Sequence, residues 1–394
     1  MFPMEAVILR TILLLLAAFA MSMTGHALAD NATFDPPLDA RLNEQVVMVP
    51  AGEGLRDRLE TTIFKPDGRG PFPLLLMNHG KQPGPSKQQK RERFVYLAIE
   101  FVRRGYAVMV PMRTGYGQST GDYRDRGCDM TASAFGQARD LRDVLEYARS
   151  QSWVDAQRMV VAGQSYGGMA VLALATSSEP GVRAVLNFSG GLRYDNSPCD
   201  WQATLTKAFG LLGKYNHIPT LWLYGANDSY FAPPLVAQWH QAFVGAGGHA
   251  RLVDYGAFKR DAHLTVGSRD GVAYWLPPTL TFLRSMAMPV KPIVEIGEPP
   301  ALPATGFAAQ TDVDAVPYLT ERGRAAYKVF LGRLQPRAFA LSASGAWGWA
   351  EEGESPDLRA LASCQQLSSV PCQLYAVDEN VVWTGAGAAA GSHD

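Results

Sequence analysis

An α/β fold with a mostly parallel sheet, helices on both faces, is the architecture that three features of this sequence support. From about residue 45 to 290, short apolar runs alternate with amphipathic stretches, the pattern of successive βαβ units. The runs at 73–78 (PLLLMN) and 106–110 (YAVMV) are apolar throughout, as strands covered on both faces must be. And 47% of the 394 residues are hydrophobic against 19% charged, which supplies a large core and excludes disorder throughout. That length suggests two domains, or one large domain with an appendage.

Residues 46–49 and 58–64 read as an opening antiparallel pair. The strand at 73–78 follows, then a helix over 89–104 and the strand at 106–110. A second helix covers 134–149. There Leu141, Val144, Leu145 and Ala148 form an apolar stripe, opposite Arg139, Asp140, Arg142, Asp143 and Glu146. Residues 159–162 make a strand that leads through a sharp turn into a helix of small residues, 166–176. Strands at 184–188, 221–224 and 250–255 come next, and a helix over 271–286 closes a domain spanning 30–288. From 289 to 317, Pro289, Pro292, Pro299, Pro300, Pro303 and Pro317 interrupt the chain without any apolar period, predicting a semi-rigid, extended linker.

Beyond it, 318–394 reads as a small C-terminal α+β module. It has a helix at 319–334, a strand at 338–342, the aromatic pair Trp347 and Trp349, a helix at 356–366, and strands at 373–376 and 381–383. The tail after Trp383 is expected to be disordered. About 75 residues make a marginal domain that profits from a covalent staple. Cys364, near a helix end, and Cys372, at a strand start, are placed to close a short loop.

At the N-terminus, the apolar run after Arg10 lasts about 10 to 13 residues, where a membrane-spanning helix needs about 20. Ala27-Leu28-Ala29 before Asp30 matches a small-residue cleavage site. Residues 1–29 therefore read as a secretory signal peptide, with an uncleaved anchor as the alternative. No cysteine precedes Cys128, so lipid attachment at the cleavage site is not supported. The processed chain is expected to be periplasmic or secreted and not to span a membrane, and its four cysteines then lie where disulfides persist. The balance of 36 Lys+Arg against 37 Asp+Glu, net charge -1, excludes the basic excess of a nucleic-acid binder. No His/Cys cluster has metal-ligand spacing, and no metal or organic cofactor is implied.

The strongest chemical signal is Gly163-Gln164-Ser165-Tyr166-Gly167, extended by Gly168, between an apolar strand and a small-residue helix. This is the setting of a nucleophile elbow. The turn is so tight that side chains flanking the serine would clash, hence the glycines. It lifts the Ser165 hydroxyl to a helix N-terminus, where free N–H groups favour developing negative charge. A serine is a weak nucleophile until a base takes its proton. His263 is the candidate base, on a loop after the last strand. Asp228, in Gly225-Ala226-Asn227-Asp228 just past a strand, is the candidate orienting carboxylate. Asp261 is its rival, expected instead to face solvent. An oxyanion needs two donors. The backbone N–H of Tyr166 is one; the other is expected from the loop after 73–78, where Gly80 lets the chain bend so that the N–H of Lys81 points at the substrate. His79 is read as a structural residue of that loop.

A strand ending in His-Gly, the Gly-x-Ser-x-Gly-Gly turn, Gly-x-x-Asp, and a late histidine in the order Ser, Asp, His resemble the α/β-hydrolase fold. Within it the chain resembles the dienelactone-hydrolase and prolyl-oligopeptidase-like branch of serine hydrolases. The segment Pro111-Met112-Arg113-Thr114-Gly115-Tyr116-Gly117-Gln118-Ser119-Thr120-Gly121 is similar to the Arg-Gly-x-Gly-x-Ser-x-Gly loop of that branch. The resemblance covers roughly residues 45–288. It implies an acyl-enzyme on Ser165 and hydrolysis of a small-molecule carboxylic ester or related acyl bond. Dienelactone hydrolases carry a cysteine where this chain has Ser165, which favours an ester over a lactone. Two alternatives stand beside it: an exported peptidase of the prolyl-oligopeptidase-like type, and a catalytically silent envelope-binding protein on the same fold. The C-terminal module faintly resembles small disulfide-bearing modules of exported bacterial proteins, and an envelope partner for it is left open.

Loops leaving the C-terminal strand ends form the rim of such a site. Those after 110 and 188 carry Cys128 and Cys199, expected to pair and pin the loops over the pocket; two free thiols are the alternative. Tyr116 is placed on the substrate rim. The insert 194–215 reads as a cap whose Trp201 and Phe209 either line the acyl pocket or form the cap's own core.

Overall fold

Alternation along the strands decides which side of the sheet each helix covers. The structure, a computed structural model, describes residues 35–195 and 198–385; the expected leader and the tail from 386 onward lie outside them. Two units are distinguished, Pro37–Pro299 and a smaller one beginning at Pro300. In the larger, the strands are β1 (Gln45–Ala51), β2 (Asp57–Phe64), β3 (Phe72–Asn78), β4 (Ala107–Pro111), β5 (Val154–Gln164), β6 (Val182–Phe188), β7 (Thr220–Tyr224) and β8 (Ala250–Asp254). They form one 8-stranded sheet in the order β1-β2-β4-β3-β5-β6-β7-β8. β1 and β2 pair antiparallel, and β2 meets β4 antiparallel; from β4 to β8 every pairing is parallel.

The helices are α1 (Val95–Val102), α2 (Met130–Arg149), α3 (Tyr166–Leu174), α4 (Trp201–Lys214), α5 (Pro233–Gly245) and α6 (Val272–Ser285). Leu74 and Leu76 of β3 join the core under α2, α3, α4 and α5, while Leu75 and Met77, one residue out of phase, join the core under α1 and α6. The sheet is thus covered on both faces, which is why β3, β4 and β7 are almost wholly apolar. No helix among the described residues is long and apolar enough to cross a membrane.

One helix is shorter than its periodicity predicts. Instead of 89–104, only Val95–Val102 is α-helical, entered through Phe94 at a φ of 48°. The preceding residues are drawn into the fold by polar contacts. Arg91 Nη1 and Arg93 Nε donate to Glu44 Oε1 (2.7 and 2.8 Å), and Arg93 Nη2 donates to Glu44 Oε2. The Gln89 side chain turns in against His79 (3.0 Å). Burial by itself would raise the Glu44 pKa, but the hydrogen bonds from Arg93 and Arg91 outweigh it and hold the carboxyl below its ordinary value. Conversely, α2 starts earlier than expected because Asp129 caps it, accepting from Ala132 N (2.8 Å).

The proline-rich stretch is not a free linker. Ile293 N and Val294 N donate to Arg103 O (2.8 and 2.9 Å), Tyr106 OH donates to Pro289 O (2.9 Å), and Ile296 is buried. Residues 289–299 therefore belong to the larger unit. Further on, Thr305 N donates to Val381 O (3.0 Å), Tyr327 OH to Gln310 O (2.8 Å), and Val316 is buried in the smaller unit. The prolines keep this backbone extended, and the donors and acceptors named here are met by neighbouring chain.

The smaller unit comprises α7 (Glu321–Leu331), β9 (Arg337–Ser342), β10 (Trp347–Glu351), α8 (Pro356–Gln365), β11 (Cys372–Val377) and β12 (Asn380–Val381), with its 4-stranded antiparallel sheet in the order β10-β9-β11-β12. Phe339 and Leu341 share a core with Tyr327 and Phe330 of α7. Ala338 and Ala340, on the other face, share one with Ala360 and Cys364 of α8. A disulfide between Cys364 and Cys372 ties the end of α8 to the start of β11. Trp347 stacks on Phe339 (6.2 Å between centroids), and the Arg333 guanidinium lies 4.5 Å from the Trp349 ring.

Glu44→Gln removes a carboxylate that both arginines bond, and should destabilise the larger unit by about 3–5 kcal/mol at neutral pH. The parent's advantage should persist above the unfolded-chain value near 4.3 and vanish as pH falls through the lowered folded value. Urea unfolding of both proteins against pH measures this; curves that stay apart at low pH would contradict it.

Candidate active site

The nucleophile turn follows from how closely α3 sits on the sheet. Ser165, between β5 and α3, has φ 55° and ψ -122°, a conformation rare for a residue with a side chain. The surroundings over-determine it. Ser165 N donates to Phe188 O (3.0 Å), and Ser165 O accepts from Gly168 N (2.9 Å) and Gly191 N (3.0 Å). A Cβ on Gly167 would strike the carbonyl oxygens of Asn78 and His79, so only glycine lets the first turn of α3 rest on the end of β3. The same approach brings Gly80 against the serine: a Cβ on Gly80 would lie 3.1 Å from Ser165 Cβ.

Asp228 and His263 lie on the segments that follow β7 and β8, His263 in a short 3-10 turn, Ala262–Gly267. Both are buried. His263 Nδ1–H donates to the two Asp228 oxygens (3.1 and 3.0 Å), which leaves Nε2 as the lone-pair nitrogen. Asp228 Oδ1 also accepts from Tyr230 N (2.9 Å) and Phe231 N (3.0 Å), fixing the carboxylate. The rings of Tyr230 and Phe231 lie 4.5 and 5.5 Å from the imidazole centroid. Ser165, Asp228 and His263 thus stand at the C-terminal ends of β5, β7 and β8, the edge where open parallel sheets build their sites. Gln164 Nε2 donates to His263 O (3.3 Å), joining the serine turn directly to the histidine turn.

On the other side of Ser165, the loop after β3 is held from behind. His79 Nε2 accepts from Arg113 N (3.1 Å), so the ring proton sits on Nδ1 and is donated to Gly80 O (2.7 Å). Complete burial, with the Arg113 charge beside it, pushes the His79 pKa well below the ordinary histidine value, and the ring is neutral. Lys81 follows Gly80, with Nζ 4.9 Å from the centroid of the Tyr123 ring.

The sequence profile of the X-Pro dipeptidyl-peptidase (S15 family) matches residues 53–205, a span that holds Gly80 and Ser165 and stops short of Asp228 and His263. The chain has the α/β-hydrolase fold. It is 29% identical over 144 residues to cocaine esterase of Rhodococcus sp. (strain MB1 Bresler), covering 35% of this chain and 22% of the relative. It is 30% identical over 115 residues to the quorum-quenching protein AidA of Acinetobacter baumannii (strain MDR-ZJ06), covering 29% of this chain and 34% of the relative. The matches thus span about a fifth and a third of those two proteins. A solved structure of a Pyrococcus furiosus esterase superposes with a TM-score of 0.48 at 12% identity, over 67% of this chain and 99% of that one.

The three expected rim residues are packed into the larger unit. Phe209 is fully buried, stacked on Trp239 (centroids 5.0 Å apart, planes at 22°) and 5.1 Å from Trp222. Trp201, half-buried at the start of α4, packs against that same core. The insert is therefore no cap: α4 is the crossover helix between β6 and β7, with Leu205, Ala208, Phe209 and Leu212 as its core stripe. That spacing was present in the sequence and signals an amphipathic helix on the sheet. Tyr116 is buried too, edge-on to His79 (5.0 Å) and Tyr123 (5.3 Å).

Asp261 does not simply face solvent. Its Oδ1 accepts from His263 N (2.9 Å) and Ser229 N (3.0 Å), and its Oδ2 from Ser229 Oγ (2.6 Å), so it clamps the Asp228 loop to the His263 loop. Cys128 and Cys199 form a disulfide between the loop after β4 and the loop after β6; the strands between them, β3 and β5, end at the Gly80 loop and at Ser165. A polar cavity of about 660 Å³ lies along α2, lined by Thr114, Gln137, Arg139 and Asp140 among others, and includes none of Ser165, Asp228 and His263.

Folded His79 refuses the proton that an unfolded histidine takes up near pH 6.5. Stability should therefore fall as pH drops below that value, by up to about 1.4 kcal/mol per pH unit, and His79→Gln should lack this contribution. Unfolding curves of parent and variant between about pH 7.5 and 5.5 test it. Curves that run parallel would refute the buried neutral imidazole.

Proposed function

We propose that this chain is a serine hydrolase that cleaves a carboxylic ester, or a related acyl bond, through an acyl-enzyme on Ser165. The observation that carries this reading is the strained Ser165 turn joined through Gln164 to a histidine whose Nδ1–H is held by a buried carboxylate. In this mechanism Ser165 Oγ attacks the acyl carbon while His263 Nε2 takes its proton. The N–H groups of Tyr166 and Lys81 bind the oxyanion. Collapse of the tetrahedral species expels the alkoxide, which leaves with the proton from His263. Water then attacks the acyl-enzyme, His263 again takes and returns one proton, and the carboxylic acid departs. Asp228 holds the imidazole in the required tautomer and stabilises its cation.

The cocaine esterase relative supports ester hydrolysis, and the S15 profile favours a second reading, hydrolysis of a peptide bond that follows proline. We place the enzyme outside the cytoplasm, in the periplasm or secreted; its two disulfides support an oxidising compartment.

Ser165→Ala should abolish both hydrolysis of short p-nitrophenyl esters and labelling by a fluorophosphonate. A variant that labels like the parent would sink the assignment, and a folded parent that never labels would indicate a binding protein. Asp228→Asn should leave the fold intact and lower kcat by about 10³–10⁴-fold. Assaying an X-Pro p-nitroanilide beside the ester separates the two substrate classes.

A further inference from the structure

We propose that Arg113 is the positioning residue that aims the oxyanion-binding peptide between Gly80 and Lys81. The inference rests on the reading of Ser165 as the nucleophile. Arg113 is fully buried, where a guanidinium is costly unless its donors are used. Its Nη1 donates to His79 O and, at 3.4 Å, to Asn78 Oδ1; its Nη2 donates to Gly80 O (3.0 Å). Among the described residues, none of its hydrogen bonds goes to a carboxylate. The planar fork is spent on the carbonyl oxygens of two successive peptides.

The direction of Lys81 N–H follows from this. The peptide between Gly80 and Lys81 is trans, so its N–H points away from its carbonyl. Arg113 Nη2 and His79 Nδ1–H together draw Gly80 O to one side. Lys81 N–H is thereby turned to the opposite side, and Gly80 itself abuts Ser165 Cβ. The guanidinium carbon also lies 5.0 Å from the ring of Tyr166, the residue that supplies the other oxyanion donor, and 4.9 Å from the ring of Tyr116. One buried cation thus touches both halves of the oxyanion site. It fixes their geometry and adds a positive field behind the developing charge. A lysine keeps the charge but cannot bridge two carbonyls as the planar fork does.

The test uses the full chain with Arg113→Met and Arg113→Lys, an ester substrate, and a trifluoromethyl ketone whose tetrahedral adduct places an oxyanion in the site. In Arg113→Met, kcat should fall about 10–100-fold with KM nearly unchanged, because the lost interaction matters only in the transition state. The ketone should weaken by a similar factor. Arg113→Lys should recover part of both. If Arg113→Met does not fold, Arg113→Lys decides alone, with kcat and ketone affinity expected to lie below the parent. A folded Arg113→Lys with both within twofold of the parent overturns the proposal. So does a variant whose KM rises at constant kcat, or one that loses thermal stability but keeps ketone affinity. Ser165→Ala, run in parallel, separates the two levels: full labelling there would defeat the serine reading itself, whereas lost labelling with unaffected Arg113 variants would defeat only the role of Arg113.

Discussion

Everything at the candidate site depends on how closely the first turn of α3 approaches the end of β3. At Gly167 the helix backbone touches the carbonyls of Asn78 and His79, with no room for a Cβ. That approach places Ser165 at a positive φ and sets Gly80 against its side chain. The strain is of order 1–3 kcal/mol and persists only because neighbours over-determine the conformation. Here they are the amides of Gly168 and Gly191, the carbonyl of Phe188, and the covered sheet beneath.

Around that contact the fold solves two orientation problems with different chemistry. On the His263 side the acidic groups divide the work. Asp228 takes the imidazole N–H and two backbone amides, while Asp261, two residues from His263, takes backbone and hydroxyl donors that bind the two loops together. On the Gly80 side a buried cation does the holding, through carbonyl oxygens rather than carboxylates. His79 lies between Arg113 and Gly80 as a neutral relay of hydrogen bonds, a state its burial enforces. Gln164 spans the two sides: its Nε2 reaches His263 O, and its Oε1 lies where a Cβ on Gly80 would project.

The smaller unit uses another balance. Its sheet packs aromatic residues against α7 and alanines against α8, so one face is thick and the other thin. A core of this size gains little from burial alone, and the Cys364–Cys372 disulfide restricts its unfolded chain. Arg337 adds a polar lock, donating to the carbonyls of Phe330, Leu331 and Arg333 at the end of α7.

Much of this was legible in the sequence. Apolar runs such as 73–77 pointed to a two-faced sheet, because burial on both sides leaves few polar positions. The glycines around Ser165 announced the turn, since a backbone in contact with backbone excludes any side chain. The order Ser165, Asp228, His263 and the loop positions after strands were readable as well. Long-range pairings were not. Residues 89–94 carry charges that fit a helix face equally well, and in the fold Arg91 and Arg93 turn inward onto Glu44, which lies 47 residues before Arg91 in the chain. Phe209 and Trp201 suited a cap as well as a core until the parallel pairing of β6 with β7 required α4 as their crossover. Arg113 stood in a recognisable loop, but its partners are backbone carbonyls some thirty residues away, and a carbonyl has no residue identity to read. Local sterics and periodicity are written along the chain; which distant polar group each buried charge meets is decided only when the chain is folded.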